Sequence, residues 1–143
     1  MIANRSIPRC TVIPELAYPD VAAATEWLCG AFGFTVRLRI ADHRVQLNVG
    51  DRAVVVKDAG GAGPVQASGS ADRSHSVMVR VEDVDRHCAQ ATAFAARAVN
   101  PPQTYPFGER QYTVVDPGGH AWTFTQSIAD VAPEEWGGTS VAL

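Results

Sequence analysis

Residues 15–34 read ELAYPDVAAATEWLCGAFGF, and their pattern changes period once. Leu16 and Tyr18 alternate as on a strand with one covered face, whereas Val21, Ala24, Trp27, Leu28, Ala31 and Phe32 recur at helical spacing. Asp20 stands where a helix N-cap belongs and Gly33 where a left-handed stop belongs. A strand over Thr11–Tyr18 followed by a helix is the expectation. Downstream lie FTVRLRI (34–40), HRVQLNVG (43–50) and RAVVVKD (52–58), separated by Ala41-Asp42-His43 and Gly50-Asp51. These are short strand runs joined by turn residues, so the first half reads β-α-β-β-β.

The pattern then repeats. After the Gly-, Ala- and Ser-rich stretch 59–74, which carries no periodicity, HSVMVRV (75–81) reads as a strand. Residues 82–97 read as a helix with Val84, Cys88, Ala91, Phe94 and Ala95 on its inner face. A weak strand follows near Ala98–Asn100, then ERQYTVVD (109–116) and HAWTFTQ (120–126). Leu16-x-Tyr18-x-Asp20-Val21 matches Val79-x-Val81-x-Asp83-Val84, and Gly50 matches Gly119, at the similar separations of 63 and 69 residues. Internal duplication accounts for both. The expected organisation is one domain of α+β class: module one at 9–58, a linker at 59–74, module two at 75–127 and a tail at 128–143. In each module a helix covers one face of the sheet, and the bare faces must meet or enclose something.

The 143 residues carry 12 Lys and Arg against 15 Asp and Glu, a net charge of −3. The basic residues are scattered, which argues against nucleic acid and suits a neutral or cationic small molecule. Cys10, Cys29 and Cys88 are widely spaced, with no Cys-x-x-Cys pair to suggest a disulfide framework or thiolate zinc site. No run approaches the roughly 18 apolar residues of a membrane helix, and no signal-peptide core is visible. A cytoplasmic protein without membrane contact is expected.

The stretches ELAYPDVAAATEWLCGAFGF, VMVRVEDVD (77–85) and PFGERQYTVVDPGGHAW (106–122) together resemble the vicinal oxygen chelate superfamily of glyoxalases, extradiol dioxygenases and bleomycin-resistance proteins. The resemblance runs over roughly Thr11 to Gln126. It implies two βαβββ modules whose strands curl into an open half-barrel cleft, often completed in a homodimer. One departure is Arg97, where members usually end the second helix with glycine. Enzymes of the family hold a divalent ion with four His, Glu or Gln side chains. Carried over by register, those positions are Ile13, Val54 (or Val56 with a slip), Ser76 and Thr123. None is a credible ligand, and His75 beside Ser76 points to the other face unless the strand bulges. No metal and no other cofactor is expected.

Strand alternation places Ile13, Glu15 and Ala17 on the cleft side of the first strand. Ser76, Met78 and Arg80 take the same side of its repeat, with Ala121, Thr123 and Thr125 on the last strand. Glu15 has two readings. It anchors a cation or serves as a general base with a raised pKa, or it pairs with Arg80 or is solvated at the cleft mouth. Tyr105, Phe107, Arg110 and Tyr112 form a candidate binding lip, although Phe107 also suits turn packing. Trp27 and Trp122 read as core, His43 and His87 as solvent-facing, His120 as a locally bonded turn residue, and Trp136 as cover for an apolar edge or a dimer partner. The leading expectation is a metal-free homodimer that binds or sequesters a small organic molecule, an antibiotic being one candidate. Its ligand-binding residues would be Glu15, Met78, Arg80, Tyr105, Phe107, Arg110, Tyr112 and Thr123. The alternative is a lyase, isomerase or dioxygenase-type enzyme using Glu15 or a shifted metal site.

Overall fold

The computed structural model describes residues 2–60, 74–94, 96 and 98–142. Most of the expected linker (61–73), Ala95 and Arg97 lie outside the described residues. Module one runs β1 (Glu15–Tyr18), α1 (Val21–Phe32), β2 (Thr35–Ile40), β3 (Arg44–Val49) and β4 (Arg52–Asp58). Module two runs β5 (Val77–Arg80), α2 (Val84–Ala93), β6 (Ala98–Thr104), β7 (Glu109–Val115) and β8 (Ala121–Ser127), and a 3-10 turn follows at Pro133–Trp136. The duplication holds at the level of topology: the sheets have orders β1-β4-β3-β2 and β5-β8-β7-β6. In each, the first strand is parallel to the last and the others are antiparallel.

Local chemistry sets the element ends. The Asp20 carboxylate accepts from the N–H of Ala23 at 2.9 Å, and Gly33, at φ 76°, returns its N–H to Cys29 O, so α1 begins and stops where its capping residues dictate. Asp83 caps α2 through the N–H of Arg86 at 3.0 Å. α2 ends earlier than its periodicity suggested, at Phe94, whose N–H is shared between Gln90 O and Ala91 O. The Phe94 ring leaves the inner face and lies over Gly30 of α1, where a Cβ would collide with it. β1 is shorter than the run from Thr11, although Pro14 O still accepts from the N–H of Val55 at 2.9 Å. β6 is longer than expected and lies at the edge of its sheet. Its pairing slips between Asn100 and Gln103, across Pro101 and Pro102, and edge strands are where prolines are tolerated.

The two modules join through their helix sides. Leu16, Val45, Leu47, Val54 and Val56 of the first sheet share one buried cluster with Tyr112, Val114, Trp122 and Phe124 of the second. Phe32 of α1 sits at the centre, its ring 4.7 Å from Phe124 and 5.5 Å from Trp122. Both open sheet faces are therefore turned away from this core.

Three polar ties cross the same boundary. The buried Asp116 carboxylate accepts from the N–H groups of Gly118 and His120 at 3.0 Å each, from Trp122 Nε1 at 2.9 Å, and from the Tyr18 hydroxyl of module one. Burial and the neighbouring Asp116 charge push the Tyr18 hydroxyl far above its ordinary pKa. The His120 main chain bonds locally, exchanging hydrogen bonds with Asp116, but its side chain reaches further: Nε2 donates to Ala17 O of β1 at 2.8 Å, and the ring leans on Tyr18. His87 is not solvent-facing. Its ring leans on Phe124, tilted by 33° with centroids 4.1 Å apart, and donates from Nε2 to Phe32 O at 3.2 Å, which satisfies a carbonyl left over at the end of α1. Its Nδ1 accepts from the Tyr112 hydroxyl. Both ring nitrogens are thus used by the neutral imidazole, and burial lowers the His87 pKa below its ordinary 6.5. Among the described residues, no helix is long and apolar enough to cross a membrane.

Two stability measurements follow from these ties. Asp116→Ala strands four donors in the interior and should cost at least about 3 kcal/mol in urea unfolding, and Tyr18→Phe, which removes one bond to a charge, about 1.5–3 kcal/mol. For His87 the folded pKa is the lower one, so the unfolded chain binds the extra proton. Stability should fall as pH drops below 6.5 toward the folded value, and His87→Gln should flatten that slope.

Candidate functional site

Chemistry not consumed by the shared core lies on the open faces. In module two, ladder register aligns Met78, Thr123 and Thr113 in one row, and Arg80, Thr125 and Gln111 in the next. Glu109 and Ser127 follow. The Thr113 and Thr123 hydroxyls bond each other at 2.9 Å. Gln111 Nε2 donates to Thr125 Oγ1 at 3.1 Å, and that hydroxyl donates to Glu109 Oε1 at 2.7 Å. The Ser127 hydroxyl, then Thr125 and the Arg80 charge, hold the Glu109 carboxyl below its usual range. This face is polar and rich in donors and acceptors; Met78 on it is 61% exposed, Gln111, Thr113 and Thr123 are half-buried, and Thr125 is buried.

At the far end of β8, Tyr105 stacks on Phe107 with centroids 5.4 Å apart, and Trp136 of the tail lies 5.3 Å from Phe107. Gly108, at φ 84°, closes the turn, and its carbonyl accepts from the N–H of Ile128 at 2.8 Å. A cavity of about 500 Å³ opens here between Phe107, Glu109, Ser127 and the stretch 128–131. The aromatic lip and the polar face thus meet around Glu109.

Of the eight residues singled out from sequence, the structure brings Met78, Arg80 and Thr123 together on the open face of module two, with Tyr105 and Phe107 at its end. Arg110 and Tyr112 stand elsewhere. Their parity is that of Val114, so both point to the helix side. Tyr112 is 1% exposed and bonded to His87. Arg110 forks onto Asp85 in the first turn of α2, at 3.0 and 2.9 Å, and reaches Thr104. Their nearness in sequence to the lip concealed this parity. Glu109, Gln111 and Thr113 were missed for the same reason, although alternation from Val114 assigns all three to the open side.

Glu15 sits on the open face of module one, but its partners are Arg44 and, at 3.8 Å, Lys57 rather than Arg80. The hydrogen bond from Arg44, then the Lys57 and Arg44 charges, lower its pKa. That is opposite to the raised pKa a general base near neutral pH would need. Beside it, Gln46, Ala53 and Val55 also face away from α1.

The family resemblance implies a divalent-ion site, and the register corrects one of its positions. Thr123 pairs with Met78, and the corresponding pair in module one is Val55 with Glu15. Val54 and Val56 are core. The β3–β4 connection is shorter than the one from β7 to β8, so counting from the matched glycines misplaced the position by one. Ile13, Val55, Ser76 and Thr123 offer two neutral hydroxyls and two alkyl groups, a donor set that does not fit a divalent cation. Among the described residues, no three His, Cys, Asp or Glu side chains come together to hold a metal.

Comparison with known proteins gives a consistent picture. A family model described as the glyoxalase/bleomycin resistance protein/dioxygenase superfamily matches residues 7–124. Among solved structures, TioX from Micromonospora sp. ML1 is 37% identical, covers 82% of this chain and 98% of its own, and superposes with a TM-score of 0.69. A glyoxalase/bleomycin resistance protein/dioxygenase from Nocardioides, at 18% identity, covers 100% of this chain and 92% of its own, with a TM-score of 0.64. Lactoylglutathione lyase from Agrobacterium tumefaciens, at 16% identity, covers 91% and 98%, with a TM-score of 0.60. No curated protein matches the chain.

The Glu15 pairing is directly measurable. Its carboxyl should titrate by NMR below the ordinary 4.5, and Arg44→Met should move that midpoint upward.

Proposed function

The chain belongs to the glyoxalase/bleomycin resistance protein/dioxygenase superfamily, and we propose that it is a metal-free member that binds and sequesters a small organic molecule. The observation that carries this reading is the make-up of the ladder rows where the family's enzymes hold metal. Val55 and Thr123 stand at corresponding positions, and around Thr123 lie Thr113, Gln111, Thr125 and Glu109, linked by hydrogen bonds. The hydroxyls, the Gln111 amide and the Glu109 carboxylate on this face supply orientation and specificity for a polar organic ligand. The stacked Tyr105 and Phe107 rings add flat apolar area at the rim. Antibiotics are one candidate class, since bleomycin resistance is among the functions in the family's description.

The packing also supports a homodimer. Because the modules of one chain share their helix-side core, the open face of module two is not walled by module one of the same chain. A second copy placing its module one over this module two would supply that wall. An enzyme built on Glu15 is the weaker reading, because this carboxylate is exposed, ion-paired and shifted downward in pKa.

Screening small organic molecules by thermal shift tests the proposal. A true ligand, at 100 times its Kd, should stabilise the protein by about 2.7 kcal/mol. It should be recovered chemically unchanged, and should bind at least about tenfold more weakly to Gln111→Leu or Thr123→Val, each of which removes a polar contact. Equilibration with zinc or manganese followed by desalting should leave no stoichiometric ion. Conversion of the ligand, or an ion that the ligand requires for binding, would overturn the reading.

A further inference from the structure

Gln46 lies mid-strand in β3, between the core residues Val45 and Leu47, with its side chain on the open face of module one. It is nevertheless only 4% exposed. Its neighbours on that face, Ala53 and Val55, are equally covered. Over Gln46 the cover includes the N-terminal segment. Gln46 Nε2 donates to Ser6 O at 2.9 Å, and Arg37 Nη2 donates to Arg5 O at 3.1 Å and to Ile7 O at 3.3 Å. Arg37 Nη1 also donates to Gln46 Oε1, which turns the guanidinium toward the segment. Two side chains therefore take three consecutive main-chain carbonyls.

We propose that Arg37 and Gln46 form a carbonyl-binding subsite on the open face of module one, and that residues 5–7 occupy it in cis as a displaceable strap. The donors are complementary to oxygen acceptors and indifferent to the side chains that accompany them, so the ligand class they fit is an amide or ester chain with successive carbonyls. The strap can swing away about a fixed pivot: Arg5, Ser6 and Ile7 are exposed whereas Pro8 behind them is buried, the anchoring bonds exchange readily for bonds to water, and Pro8 lacks the N–H that would extend the segment as a further strand. A tethered segment competes at millimolar effective concentration, so it screens out weak carbonyl ligands and yields to tighter ones. That the vacated donors then serve a ligand rests on the function proposed above; the strap contact itself does not.

The test uses the full-length chain. Trypsin cleavage after Arg5 and Arg9 is timed by mass spectrometry under native conditions, with cleavage after Arg86 reporting global unfolding. Arg37→Met and Gln46→Leu should each accelerate cleavage at the strap at least tenfold and leave Arg86 protected; unchanged strap cleavage in both would overturn the strap. In a second arm, the blocked peptide acetyl-Ser-Ile-Pro-amide is titrated into 15N-labelled chain carrying Ile7→Gly and Pro8→Gly. The Gln46 side-chain amide resonance, assigned by its loss in Gln46→Leu, should shift at millimolar peptide, and about tenfold less readily in the unaltered chain. No shift in the strap variant overturns the subsite, whereas failure to find any small-molecule ligand in the thermal screen would leave both readouts intact.

Discussion

A single buried carboxylate holds the two halves of this protein in register. Asp116 has no countercharge among its hydrogen-bond partners, and its burial is tolerable because four donors converge on it. Three come from its own hairpin and β8; the fourth is Tyr18, at the end of β1 in the other module. The Asp-Pro-Gly-Gly turn is thereby more than a reversal of the chain. It presents a charge that module two cannot fully satisfy alone, and the Tyr18 hydroxyl completes the set only when the modules are correctly seated. His120 on Ala17 O and His87 on Phe32 O reinforce the same seating. With the helix sides committed to each other, polar side chains on the opposite faces of the sheets remain available.

Much of the architecture was legible because it depends on local rules. Asp20 and Gly33 bracket α1 as capping chemistry requires, alternation sorts Leu16 and Tyr18 from Glu15, and the repeated Asp-Val pairs disclose the duplication. Failures arose where a residue's fate depends on another element. His87 stands three residues after Val84 and four before Ala91, on the same helix face; its polarity argued for solvent, but α1 covers it and its carbonyl end takes the imidazole N–H. Glu15 meets Arg44 because β4 carries β3 to its side, a register that analogy with module two did not reveal. Tyr112 and Arg110 are a different case. Alternation from Val114 assigns them to the helix side, and proximity to an aromatic loop drew attention from a pattern already present.

The site divides along the same line. Thr123, Met78 and Arg80 were found by strand parity, which survives any detail of packing. Their neighbours on β7 and the cover over Gln46 were not, because both depend on which surfaces meet across ladders or over the sheet. Side chains as different as those of Ile13, Val55, Ser76 and Thr123 leave the backbone of the family's fold unchanged, so the scaffold keeps its shape while the chemistry of module two's face is that of hydrogen bonding. Module two exposes Met78 on this face, whereas module one has Gln46 under the first residues of the chain. Pseudo-symmetric halves thus offer unequal surfaces.

The prolines of β6 bear on how chains of this kind can meet. An outer strand with free amide and carbonyl groups invites another strand to extend the sheet, the route by which β-rich proteins form fibres. At Pro101 and Pro102 that invitation is withdrawn, since neither has an N–H to offer and the ladder slips around them. Growth of module two's sheet from this side is discouraged. The protein can keep a broad, polar sheet surface available for recognition while its margin resists indiscriminate polymerisation.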